Sequence, residues 1–283
     1  VTEILHNIVP RNNLRLPDAL TIKYGPARLL ARFVLQGDIA VRERGVELRL
    51  RHDFDELLYV NQQHHAPGDW YRLLDLFNHR LSELTPENAF WLSGEDENGD
   101  VVLTWAARFY HWPESTLEQE ARGMFYAGHE NGLPCHVTAA DARLITGGVL
   151  YAGAGWVRSD FRGRQLMRIV PSVGRAYALA RWPVDFGVSF VSRPLVEKGV
   201  AAGYGYKHAS YSIVFPGSPW GDLEVAVVSV TPDECYDDFT NFLTGGGPVN
   251  VPNSVPELSE ILLDTRLTST SSERVFQGNS SRS

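Results

Sequence analysis

WVRSDFRGRQLMRIV, residues 156–170, is the stretch on which the rest of the chain turns. The apolar run VLYAGAGWV (149–157) predicts a buried strand ending at Val157, and the pattern beyond predicts a helix over 163–181. A strand that passes through a glycine turn into a helix start leaves backbone N–H groups without partners. With the positive end of the helix dipole, those groups form a site for an anion. Gly163 lets the backbone approach such an anion closely. Arg158, Arg162, Arg164 and Arg168 surround it with positive charge. A solvated basic helix start would show the same residues, so both readings stand on this stretch alone. Pro171 falls inside the predicted helix and predicts a kink there, at a cost of about 3 kcal/mol.

Outward from this stretch, apolar patterning sets the element order. Residues 26–36 have helical spacing with Pro26 in the first turn and Gly37 as the stop. VELRLR (46–51) alternates like a half-buried strand. Asp53 is placed to cap a helix that carries Leu57, Leu58 and Val60, with Glu56 three positions on. Trp70, Leu73, Leu74, Phe77 and Leu81 predict a helix over about 69–84, capped by Asp69. Residues 89–111 read as a hairpin whose turn is Asn98-Gly99, a pair that tolerates positive φ. A largely helical excursion over 113–147 follows. Beyond the central strand and helix come a strand at 184–191, a short helix near 193–202 and two strands, YSIVF and LEVAVVSV. The alternation predicts an α/β (α+β) chain with a mixed sheet covered by helices. After Gly245 the composition turns to Gly, Pro, Ser and Thr, with one amphipathic segment, SVPELSEILLDTRL (254–267), that could form a docked helix.

Composition narrows the function. With 43% hydrophobic and 21% charged residues in 283, the chain can bury a sizeable core and is not of disordered type. A net charge of −8 disfavours a protein that coats nucleic acid. Cys135 and Cys235 stand far apart and outside any ligand motif, so they read as buried thiols in a reducing compartment. Without a long apolar run or a signal-like start, the expectation is a cytoplasmic protein and no membrane partner. The adjacent pair His64-His65 would point in different directions on a helix, and no metal site is expected. Neither a dinucleotide fingerprint nor a serine nucleophile elbow is present.

The stretch 156–170 resembles the diphosphate loop of the GNAT acyltransferases, V-x-P-x-x-R-G-x-G-x-G/A. Val157 matches its strand end, Phe161 its aromatic, and Arg162-Gly163-Arg164 its core. Ser159 replaces the proline, Gln165 the second glycine and Met167 the last small residue. SRPLVEKGVAAGY (192–204) matches a second block, with Ser192 at an asparagine position and Gly203-Tyr204 at a Gly-Phe pair. The tyrosine that often protonates the departing thiolate in that family falls at Gly199.

The resemblance covers residues 46–231. It implies a GNAT-like mixed, mostly antiparallel sheet with splayed central strands and helices on both faces. It sets a 1–45 arm and helix before that unit, a helical insertion at 112–147, and a 232–283 extension, partly disordered, after it. It also implies an acetyl-CoA or other acyl-CoA donor on Val157, Arg158, Arg162, Gly163, Arg164, Gln165, Leu166, Met167 and Ser192. The acceptor would be a small-molecule or peptide amine, and a homodimer is compatible with it. Asp185, His111, Tyr110, Tyr204 and Tyr206 are the candidate proton carriers, and none is singled out. Two alternatives remain: a protein of this fold that binds a ligand or partner without turnover, and an acyltransferase with a donor other than CoA.

Overall fold

A computed structural model describes residues 14–65, 70–127, 133–218 and 221–246. Nine strands form one sheet among these residues. They are β1 (Leu14–Arg15), β2 (Glu47–Arg51), β3 (Ala89–Glu95), β4 (Val101–Trp112), β5 (His136–Val137), β6 (Gly147–Val157), β7 (Phe186–Ser192), β8 (His208–Ser218) and β9 (Gly221–Val230). Their order across the sheet is β1-β2-β3-β4-β6-β7-β9-β8-β5. Every pairing is antiparallel except β6 with β7, which is parallel and needs a crossover helix. The expected mixed, mostly antiparallel sheet is therefore the one observed.

Two cores lie on the two faces. One face is covered by α1 (Ala27–Arg42), the crossover helix α4 (Val170–Arg181) and α7 (Pro232–Asn241). The other is covered by α2 (Phe54–His64) and α3 (Leu117–Phe125). Alternation within the strands sends side chains to each: Leu103, Trp105 and Ala107 go to the first core, Ala106 to the second. Helices α1 and α7, from either side of residues 46–231, share the first core, where Phe33 stacks on Phe239 at 4.1 Å.

Asp53 does cap α2, accepting from the N–H groups of Asp55 (2.9 Å) and Glu56 (3.4 Å). The Asn98-Gly99 turn is present too, with Gly99 at φ 82°.

Four expectations are corrected. Helix α1 does not stop at Gly37 but runs on to Arg42. Gly37 is needed inside it, because a Cβ there would lie 2.3 Å from Val173 of α4, so the glycine sets how closely the two helices pack. The helix over 69–84 is absent in the described part, leaving only a 3-10 turn at Asp75–Phe77. Trp70, Leu73 and Phe77 are buried and Leu74 and Leu81 half-buried, but the Asn61 side chain donates to the Tyr71 carbonyl and accepts from the Leu73 N–H, which holds this part of the backbone out of a helix. The capping residue proposed for it, Asp69, lies outside the described residues. Among the described residues of 113–147, helix is confined to α3 and a 3-10 turn at Ala140–Arg143, with β5 between them. Finally, α4 begins at Val170 rather than 163. Pro171 is thus in its first turn, where its missing N–H has no helical partner to lose, and no kink arises.

The helix predicted near 193–202 is two short pieces, α5 (Arg193–Glu197) and α6 (Val200–Gly203), separated at Gly199 with φ 77°. The segment 254–267 lies outside the described residues. No helix among the described residues is long and apolar enough to cross a membrane.

Candidate functional site

The parallel pair β6/β7 is joined at only three positions: Val149 with Phe186, Leu150 with Gly187, and Tyr151 with Val188. Beyond them the strands part. Ala152–Val157 keeps its pairing to β4 on one side, and Ser189–Ser192 keeps its pairing to β9 on the other. The two facing backbone edges between them form no further ladder pairs, though the Phe190 N–H on the β7 side donates to the Tyr151 phenol. An unpaired edge inside a sheet is costly unless a ligand or water satisfies it.

Within the open part of β6 the chain bulges. Thr104 opposes Trp156 while Ala106 opposes Gly153, so Ala154 and Gly155 together face one residue, Trp105. Ala154 has φ 51°, a left-handed conformation costly for a residue with a Cβ. Its carbonyl accepts a 2.7 Å hydrogen bond from the Thr104 hydroxyl. On the α4 face, the Met167 methyl sits 2.9 Å from where a Gly155 Cβ would be.

The loop from Val157 to Val170 closes the mouth of this opening. After a 3-10 turn at Ser159–Phe161, Gly163 takes φ 80° and Gln165 φ 57°, and a second 3-10 turn at Leu166–Arg168 leads into α4. No protein acceptor among the described residues takes the backbone N–H of Gly163, Arg164, Gln165, Leu166 or Met167. A left-handed residue followed by right-handed ones turns successive N–H groups inward, a cradle for an anion. Gln165 holds a left-handed backbone that glycine adopts more readily, with its side chain exposed.

The arginines behave differently from their sequence reading. Arg158 turns to acids: Asp160 at 2.7 Å and Asp96 at 3.0 Å. Arg164 lies flat on Phe161, 3.9 Å from the ring centroid, and donates to the Arg44 carbonyl at 3.1 Å. Arg162 donates to the carbonyl of Val157, tying the loop to the strand. Arg158 and Arg164 are thus held by the protein's own groups, while the backbone N–H groups of Gly163 to Met167 have no protein acceptor among the described residues. Ser192 ends β7 on the opposite arm and starts α5 without a side-chain cap bond.

The Arg158–Asp96 pair joins the loop to the β3–β4 turn. Burial raises the Asp96 carboxyl, but hydrogen bonds from the Asp100 and Asn98 amides and from Arg158 outweigh it, and the group sits below its ordinary range. A carboxyl depressed in the folded state adds stability above its unfolded pKa of about 3.9, and that stability is lost as pH falls through the folded value. Asp96→Asn is expected to lower Tm by about 3 °C near neutral pH. The gap between variant and wild type should shrink below about pH 4 and close in stronger acid. Thermal melts across that range read it directly.

Three of the candidate proton carriers sit at the closed end of the β6/β7 pair. Asp185 precedes β7 and accepts from the Gly148 N–H at 2.7 Å. His111 and Tyr110 pair with Gly148 and Val149. The Tyr110 phenol is pushed up to about 12 by burial, against the nearby Arg108 guanidinium. Tyr206 is buried in the α4-side core with the Arg175 guanidinium 5.1 Å from its ring, and burial raises its phenol as well. Tyr204 is partly buried, and its carbonyl accepts from Arg175. Sequence reading missed an aromatic stack on the α2 face. Trp156, the residue after the bulge, lies against His64 at 4.5 Å and Trp70 at 5.0 Å. Nothing local in the sequence connects positions 64, 70 and 156. Among the described residues no group of three or more His, Cys, Asp or Glu could hold a metal ion.

No protein-family model and no curated protein sequence matches the chain. Solved structures with a similar chain path include RimJ of Mycobacterium smegmatis in complex with CoA-disulfide, 12% identical over 71% of this chain and 90% of that one, with a TM-score of 0.37. YhbS of Escherichia coli, a GNAT family N-acetyltransferase in complex with CoA, is 11% identical over 68% and 84%, with a TM-score of 0.37. NAA60 of Arabidopsis thaliana, in complex with a bisubstrate analogue, is 10% identical over 65% and 97%, with a TM-score of 0.41. Similarity of this degree assigns the chain neither a family nor a reaction nor an acceptor.

Proposed function

We propose that the chain is an acyl-CoA-dependent N-acyltransferase that passes an acyl group to an amine on a small molecule or peptide. The observation that carries this reading is the parting of β6 from β7, with a row of undonated amides at its mouth. The diphosphate of CoA has the charge and the many acceptor oxygens that the amides of Gly163 to Met167 would satisfy. The pantetheine arm carries amide groups of its own and is slim enough to lie as a strand-like partner along Ala152–Val157. Ser192 faces it from the other arm.

On this reading the thioester carbonyl lies by the bulge at Ala154–Gly155, where a backbone N–H would polarise it. The neutral amine attacks the carbonyl carbon, a C–N bond forms, the C–S bond breaks, and the thiolate takes up a proton. The amine proton leaves to a base or to water. No covalent enzyme intermediate is required. The two free cysteines, one buried and one partly so, suit work in a reducing cytoplasm.

Calorimetric titration with CoA is expected to give saturable binding. Acetyl-CoA with a panel of primary amines is expected to release free thiol. An absence of binding heat at about millimolar CoA contradicts the proposal. One observation favours a second reading, binding without turnover: Gly199, which stands at the family's tyrosine position, offers no side chain to protonate a leaving group. Saturable CoA binding without thiol release from any amine would support that reading instead.

A further inference from the structure

A groove of about 310 Å³ runs along the outer side of α1, between that helix and the final turn at Phe242–Gly246. Leu35, Phe242 and Leu243 give it apolar walls, and Arg32 and Gln36 a polar rim. Leu35 is 47% exposed, one of the few large apolar side chains open to solvent among the described residues. Arg28, one turn before Arg32, is exposed on the same side of the helix. Neither arginine has an ion-pair partner among the described residues, whereas Arg42 further along α1 is paired with Asp38.

We propose that this groove is the docking site of the chain's own segment 254–267, SVPELSEILLDTRL. Three features of the sequence match the groove. Val255, Leu258, Ile261 and Leu262 recur at helical spacing and make an apolar stripe of the kind the groove would cover. Glu257, Glu260 and Asp264 form an acidic stripe beside it, complementary to Arg28 and Arg32. Ser254 and Glu257 are spaced as a helix-capping pair, so the segment carries its own start signal. Reach also fits. The described chain ends at Gly246, three residues past the groove wall at Leu243, and the nine residues from there to Val255 span up to about 30 Å. A helix anchored here would press on α1, whose C-terminal side holds Arg164 of the loop through the Arg44 carbonyl.

Disulfide trapping in the full chain tests the docking. In a Cys135→Ser background, Leu35→Cys with Leu262→Cys is expected to form a bond within one chain under mild oxidation, read by peptide mapping. Leu35 is exposed, so the substitution there leaves the core intact, and circular dichroism confirms folding. A matched pair, Tyr59→Cys with Leu262→Cys, is expected to stay reduced, because Tyr59 is exposed on α2 across the sheet. Adding Glu257→Lys and Glu260→Lys should cut the yield of the first bond about fivefold, the worth of two surface ion pairs. Bonds formed only between chains would give the groove to a second copy. No bond, or equal trapping at Tyr59, would likewise overturn the proposal.

Discussion

Gly163→Pro is expected to raise the Kd for CoA at least 100-fold, on the order of 3 kcal/mol, while leaving the fold intact. Proline fixes φ near −65°, and Gly163 holds +80°. The substitution therefore both removes one N–H and turns the neighbouring amides out of the cradle. Arg162 already has the extended backbone that precedes a proline (φ −64°, ψ 158°), so the disturbance runs forward into the loop rather than back into β6. The position is exposed, and no atom lies within 4 Å of where a Cβ would stand. Gly163→Ala separates the two effects. It keeps the N–H and meets no clash, but it strains a left-handed residue by roughly 1–2 kcal/mol. A smaller loss of affinity, about tenfold, is expected from it. Calorimetry on both variants, with thermal melts to confirm folding, reads the ranking. Equal and undiminished binding in both would remove these amides from the site.

The largest expected stability effect comes from Gly174→Ala. Gly174 lies in the middle of α4, where a glycine normally costs helix stability. It is there because α4 rests directly on Trp105: a Cβ would stand 2.3 Å, 2.6 Å and 2.7 Å from three carbons of that ring. Trp105 is the β4 residue opposite the bulge, so this contact seats the crossover helix over the place where β6 leaves its regular path. Filling the space forces the helix or the indole to move and is expected to cost about 3 kcal/mol. Urea unfolding should show a lower midpoint with an unchanged slope. Trp105→Leu should offset part of that loss when combined with Gly174→Ala, since it removes the group that the new methyl meets. Strict additivity of the two substitutions would contradict the contact.

These contacts mark the boundary of what could be read from the sequence. The alternation of VELRLR, the Asn98-Gly99 turn, the Asp53 cap and the buried run 149–157 are local signals, and each formed as read. Helix ends were less legible. Gly37 looks like a stop and is instead a point of close approach to Val173, which only the packed pair of helices reveals. Residues 70–81 have the apolar spacing of a helix, yet the side chain of Asn61 bonds the backbone at Tyr71 and Leu73, and only a 3-10 turn at Asp75–Phe77 follows. Residues 163–169 read as the first turns of α4, and the helix starts only at Val170. The left-handed residues at 163 and 165 hold this stretch out of the helix.

The site was legible only in part. The strand, glycine and helix order around Gly163 is local and marked the loop before α4. The pairing of Arg158 with Asp96 could not be read, because the two lie 62 positions apart. The parting of β6 from β7 was expected only through the resemblance, since a strand's own pattern tells which face is buried but not where its neighbour departs. Ala154 carries the bulge with no glycine to announce it.

A crystal structure of the protein soaked with acetyl-CoA tests the central claim most directly. The account predicts the diphosphate within hydrogen-bonding distance of the amides of Gly163 to Met167, with the pantetheine arm laid along Ala152–Val157 between β6 and β7. Density for the ligand on another surface, or the gap closed by the chain's own side chains with the ligand absent, would contradict it.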